Sequence, residues 1–155
     1  MTRAERIWER WRAFVARHPP GARLAADRRF MEKALEIDYS VLPAAQTLQE
    51  LVANSGELTA VFTAYAGKVA DLPQPHDRRL RIVRRILQRG IGRRQEILRS
   101  IERLARGDPM AAEGIARSLR LWKEQADRVG ELTRSYAIEY LTKAAEGRRG
   151  AREDA

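Results

Sequence analysis

Apolar or small residues recur at every third or fourth position along almost the whole chain, and this spacing restricts the possible fold more than any other feature. The pattern is clearest near the C-terminus, where it keeps a helical period of 3.6 residues over about eight turns. Strand-type alternation and repeats of about 20 to 50 residues are absent, so neither an α/β fold nor a solenoid is expected. The chain is therefore predicted to be all-α. The regular C-terminal positions are Ile115, Leu119, Trp122, Ala126, Val129, Thr133, Tyr136, Tyr140 and Ala144.

Capping and turn residues set the boundaries of the first half. Thr2 and Glu5 have the spacing of a capping box, and two prolines and a glycine follow His18, so the first helix is predicted between Thr2 and His18. The apolar spacing then runs without a change of phase from Asp27 to position 72. This segment is either one helix kinked at Pro43 or two helices, loosened around positions 54–56.

The second half begins after a turn containing two prolines. Asp77 is the predicted cap of a third helix that covers 78–106 and ends at Gly107. Asp108, followed by proline, starts a fourth helix that is expected to end near Gly147, leaving 148–155 as a frayed tail. The prediction is an elongated up-and-down helical bundle of four helices, or five if the segment 27–72 is divided, forming a single domain over 1–147.

Several classes of chemistry find no support in the 155 residues. The absence of cysteine excludes disulfides, thiolate metal sites and cysteine nucleophiles. His18 and His76 both lie in predicted turns without the spacing of a metal site, and there is no phosphate-binding loop or dinucleotide fingerprint. We therefore predict a non-enzymatic protein without metal, cofactor or small-molecule ligand.

The N-terminal residues and the hydropathy pattern suggest a cytoplasmic protein without a membrane span. Residues 1–12 alternate charged and apolar side chains and contain no uninterrupted apolar stretch of the kind found in a signal peptide. The uncharged runs, such as Leu58 to Gly67, are far shorter than the roughly 20 residues needed to cross a bilayer.

Positive charge is concentrated in the predicted third helix. The net charge is +9, and residues 73–106 alone carry eleven basic and three acidic side chains. Five arginines fall on the side of this helix opposite its apolar positions and form a stripe about 22 Å long. They are the candidate anion-binding residues. The alternative is that they simply form a solvated helix face, since arginine supplies 26 of the 30 basic residues of this chain. We call them the arginine stripe: Arg78, Arg81, Arg85, Arg89 and Arg93.

Two further residues of the third helix are unusual. Gly90 lies on its apolar side, where glycine costs about 1 kcal/mol relative to alanine, so we expect it to permit close approach of a neighbouring helix rather than to act as a hinge or to contact a ligand. Arg94 also projects towards the apolar side, so we expect it to be paired with a carboxylate or to extend outwards to solvent.

Two functions follow from these features. The first is an interaction module that docks a protein partner or self-associates, since the segment 39–67 contains only Glu50 and Glu57 as charged residues. The second is sequence-independent binding of DNA or RNA through an arginine-rich face formed by the first and third helices.

Overall fold

The structure, a computed structural model, describes residues 3–17, 22–37 and 48–153. The prediction of an all-α protein is confirmed. The described residues form six helices rather than the predicted four or five: α1 (Arg3–Arg17), α2 (Ala22–Ala34), α3 (Leu48–Ala53), α4 (Ser55–Ala70), α5 (Arg78–Ala105) and α6 (Ala111–Glu153).

The extra helices come from the segment expected to begin at Asp27. Helix α2 starts five residues earlier, at Ala22, and Asp27 lies buried within it. The helix then ends at Ala34, and Pro43, the predicted kink, lies outside the described residues. The predicted loosening near position 54 is a real break, with Asn54 as a turn residue between α3 and α4.

Helix α5 matches its predicted boundaries. The side chain of Asp77 accepts a hydrogen bond from the backbone N–H of Arg79 and caps the helix N-terminus. At the other end Gly107 adopts a φ of 92°, a conformation that favours glycine and stops the helix.

Helix α6 is longer than predicted, since it continues past Gly147 to Glu153. A glycine ends a helix readily when it takes a positive φ, and among the described residues only Gly107 does so. Gly147 has no proline after it, and an interior glycine costs only about 1 kcal/mol, so the surrounding helix-forming residues carry α6 onward.

Helix α5 packs against α4 on one side and against α6 on the other. The antiparallel direction of α5 and α6 is shown by Arg79 contacting Ser135 near one end and Ser100 lying beside Gly114 near the other. At 1.5 Å per residue these helices are about 42 and 64 Å long. The core therefore follows the length of α5.

The remaining helices dock around this three-helix unit. Helix α1 inserts Trp11, which is 1% exposed, against Trp8 and the ring of Tyr136 in α6. The apolar side chains form two buried clusters, one around Leu80 and Tyr136 and the other around Ile101 and Trp122. No helix in the described part of the chain has the length and apolar character needed to cross a membrane.

Candidate anion-binding surface

The arginine stripe lies on the outer face of α5, as its spacing predicted. Arg78, Arg81, Arg85 and Arg89 are exposed, while Arg93 is partly buried and borders a small pocket next to Arg94. The opposite side of the helix holds Leu80, Val83 and Leu87, all buried in the core. The core therefore fixes the rotation of α5 and keeps four arginines turned to solvent.

The basic surface is longer than the stripe inferred from the sequence. Arg99 and Arg103 follow Arg81 and Arg85 by 18 residues, which is five helical turns, so they return to the same side. The sequence pattern contained this signal, but Glu96, which follows Arg78 by 18 residues, interrupts the row of arginines on this side of the helix. We call the exposed set the α5 arginine face: Arg78, Arg81, Arg85, Arg89, Arg99, Arg103 and Arg106.

The arginines of the α5 arginine face take part in none of the ion pairs seen between described residues. Those ion pairs join Arg28 to Glu32 and Arg79 to Asp77 and Glu139. The guanidinium groups of this face are left accessible to an external anion.

Arg79 is separate from the arginine face and anchors the start of α5. Its guanidinium donates to both carboxylate oxygens of Asp77, pairs with Glu139 and lies 5.6 Å from the ring centre of Tyr136. The hydrogen bond to Asp77 raises the pKa of Arg79. Burial by itself would raise the pKa of Asp77, but the hydrogen bonds and charge of Arg79 lower it. Both groups therefore stay ionised.

A buried carboxylate ties three helices together behind this anchor. Asp27 of α2 is 1% exposed, and its Oδ1 accepts hydrogen bonds from the backbone N–H groups of His76 (2.6 Å) and Asp77 (3.0 Å). Its Oδ2 accepts from the Tyr136 hydroxyl at 3.3 Å. Burial, reinforced by the negative charge of Asp27, raises the pKa of Tyr136. Asp27 thus positions the turn from which α5 begins.

Arg94 lies beneath the middle of the arginine face, and its side chain does not extend outwards to solvent. It is 5% exposed, and its guanidinium carbon lies 3.4 Å from the ring centre of Tyr65 and 3.6 Å from that of Trp122. It also donates to the carbonyl oxygen of Gly90. The guanidinium is thus stacked between an aromatic ring of α4 and one of α6, an arrangement that attracts a cation to both ring faces.

Gly90 has the packing role predicted for it, with Tyr65 and Arg94 as the neighbours. A Cβ at this position would lie 2.6 Å from both the Tyr65 hydroxyl and Arg94 Nη1. The Tyr65 hydroxyl donates to the carbonyl of Leu87 at 2.7 Å, which holds the ring in place. Burial raises the pKa of Tyr65, and the positive charge of Arg94 partly opposes this.

The outer face of α4 is the second surface suggested by the sequence. Val61 is 51% exposed there, among small side chains. The hydroxyls of Thr59 and Thr63 donate to carbonyl oxygens of their own helix, which leaves the methyl groups to define the surface. Its only charged residues are Glu57 and Lys68. This is a low-charge helical face in contact with solvent.

Comparisons with protein-family models, curated proteins and solved structures give no match for this chain. Within the described ranges, no three histidine, cysteine, aspartate or glutamate side chains come together in a group able to hold a metal ion.

Proposed function

We propose that this protein is a non-enzymatic helical protein that binds the phosphate backbone of nucleic acid, without sequence preference, through the α5 arginine face. The observation that carries the proposal is the alignment of six exposed arginines on one side of α5, continued by Arg106 at its C-terminal cap, none of them in an ion pair seen between described residues. Helix α1 packs on α6, so the proposal rests on α5 and does not need the arginines of the first helix.

The geometry of α5 suits a repeating anion. Successive arginines three or four residues apart are separated by about 5 to 6 Å along the helix axis. Arginine donates two parallel N–H groups to phosphate oxygens, which makes it well suited to backbone contacts. Because base edges are not involved, affinity is expected to depend on salt and hardly on sequence.

Fluorescence anisotropy of labelled DNA and RNA at several salt concentrations tests the proposal. Each neutralised phosphate of duplex DNA contributes about 0.9 to the slope of log affinity against log salt, so full use of the face gives a slope up to about −6. Replacing Arg85 and Arg89 by glutamate is expected to reduce the slope by about 2 and weaken binding roughly 30-fold at low salt.

A matched variant distinguishes the contribution of this surface to binding from that of the net charge of the chain. Arg120→Glu with Arg128→Glu changes the charge of the chain by the same amount, on exposed positions of α6. It is expected to weaken binding no more than about threefold, by long-range repulsion. Equal losses in the two double variants, or no binding by the wild type at low salt, contradict the proposal.

A second candidate function, self-association, is favoured by the outer face of α4. Glu57 near the start of the helix and Lys68 near its end are complementary when two copies of α4 pack antiparallel, since each glutamate then lies opposite the other copy's lysine. Val61 and Ala64 lie between them on the same side of the helix. The partner we infer for this face is therefore a second copy of the chain.

Light scattering coupled to size-exclusion chromatography, from low to high micromolar protein, tests self-association. The wild type is expected to approach twice the monomer mass, and Val61→Glu to remain monomeric, because the substitution buries an unpaired charge in the dimer. Ile138→Glu, at a 45% exposed apolar position of α6, is the control and should leave the mass unchanged. A wild type that stays monomeric at the highest concentration excludes this function.

A further inference from the structure

A groove of about 570 Å³ lies between the end of α5 and the beginning of α6, beyond the stripe. Its volume is in the range of about 300 to 1,000 Å³ that is typical of small-molecule sites. Three of its basic residues come from the α5 arginine face and one from α6 on the opposite side, and two serines lie between them. These residues are Arg99, Arg103, Arg106, Arg117, Ser100 and Ser118.

The lining of the groove carries a net positive charge. Glu96 and Glu102 also border it, so its lining carries four positive and two negative side chains. Neither glutamate forms an ion pair with an arginine in the described part of the chain. Four guanidinium groups around one concavity repel each other, and the walls concentrate their field, so an anion in the groove relieves this repulsion.

Gly114 keeps the groove open. A Cβ at this position would lie 3.7 Å from Ser100 Oγ and 4.0 Å from Arg103 Nη2, which are ordinary contact distances. Packing therefore does not require glycine here, unlike at Gly90, although glycine inside a helix costs stability relative to alanine. What Gly114 provides is space beside a hydroxyl and a guanidinium.

From this arrangement we propose that the groove is a binding site for a diphosphate or triphosphate group. Arginines on opposite walls, such as Arg103 and Arg117, donate charge-assisted hydrogen bonds to phosphate oxygens from two directions. Ser118, partly exposed on α6, adds a neutral donor. A chain of linked phosphates, larger and more highly charged than a single phosphate, matches both the volume and the number of cations. Arg99, Arg103 and Arg106 belong to both the groove and the α5 arginine face, but the groove adds Arg117 and Ser118 of α6 and can hold a phosphate chain whether or not α5 binds nucleic acid.

Isothermal titration calorimetry with inorganic tripolyphosphate at low salt tests the site. The wild type is expected to bind one equivalent, and Arg103→Ala with Arg117→Ala to weaken binding at least tenfold. Arg85→Ala with Arg89→Ala removes the same charge from the stripe and is expected to change the dissociation constant less than twofold. Circular dichroism melting of both variants confirms that they are folded, since all four positions are exposed.

The outcomes are separable. Absence of tripolyphosphate binding, or equal weakening in both double variants, overturns the groove as a site. The nucleic-acid proposal is tested separately, by the anisotropy measurement. Titration with a nucleoside triphosphate shows whether the phosphates belong to a nucleotide or to free polyphosphate. Binding as tight as tripolyphosphate supports a nucleotide ligand, and binding tenfold weaker supports free polyphosphate in the same groove.

Discussion

Replacing Asp27 by alanine is expected to lower the free energy of unfolding by about 3 kcal/mol, because buried donors lose their acceptor. Asp27 is almost fully buried and accepts from the backbone N–H groups of His76 and Asp77 and from the Tyr136 hydroxyl. Water can replace the lost acceptor at the exposed His76 more easily than at Tyr136. The loss of stability is therefore smaller than the cost of leaving three buried donors without an acceptor. Urea unfolding followed by circular dichroism measures the change.

Two further variants give this prediction its control. Asp27→Asn keeps an acceptor oxygen in the same place and is expected to lose about 1 kcal/mol. Asp127→Ala, at an exposed position of α6, should remain within about 0.5 kcal/mol of the wild type. If Asp27→Ala is no less stable than Asp127→Ala, the three hydrogen bonds do not contribute to stability.

The second large effect is expected at Gly90, where alanine should destabilise the protein by about 2 kcal/mol. The added methyl group would overlap the Tyr65 hydroxyl and Arg94 Nη1, both 2.6 Å away from the Cβ position. Overpacking of this kind costs about 1 to 3 kcal/mol. Here Arg94 cannot simply swing aside, because two aromatic rings enclose it.

Gly92, two residues along the same helix, is the matched control. It is exposed, and a Cβ there meets nothing within 4 Å, so Gly92→Ala should stabilise α5 by up to about 1 kcal/mol through helix propensity alone. Thermal and urea unfolding of the two variants should therefore shift in opposite directions. Stabilisation by both substitutions would falsify the proposed packing role of Gly90.

The sequence was most informative where the physics is local. The cap at Asp77 and the stop at Gly107 were predictable because a carboxylate that accepts from the first turn, and a glycine free to take a positive φ, act within a few residues. The apolar period likewise fixed which side of α5 faces solvent, and with it the exposure of Arg78, Arg81 and Arg85.

What the sequence did not reveal depends on contacts between distant residues. Asp27 looked like a helix start, yet its partners lie 49 to 109 positions away, so neither its burial nor the earlier start of α2 had a local signal. The stack around Arg94 likewise combines residues of α4, α5 and α6. The groove forms only where α5 and α6 meet, so Arg117 could not be assigned to it beforehand.

The buried guanidinium of Arg94 also bears on how the long helices stay aligned. Apolar side chains at helical spacing are nearly interchangeable, so α5 can in principle slide by one turn along α4 and α6 and still bury a similar area. Such a slip moves Arg94 by about 5.4 Å, away from the rings of Tyr65 and Trp122 and against aliphatic side chains. We therefore expect this one charged residue to favour a single register of the three helices, the one that holds the exposed arginines of α5 in place along the molecule.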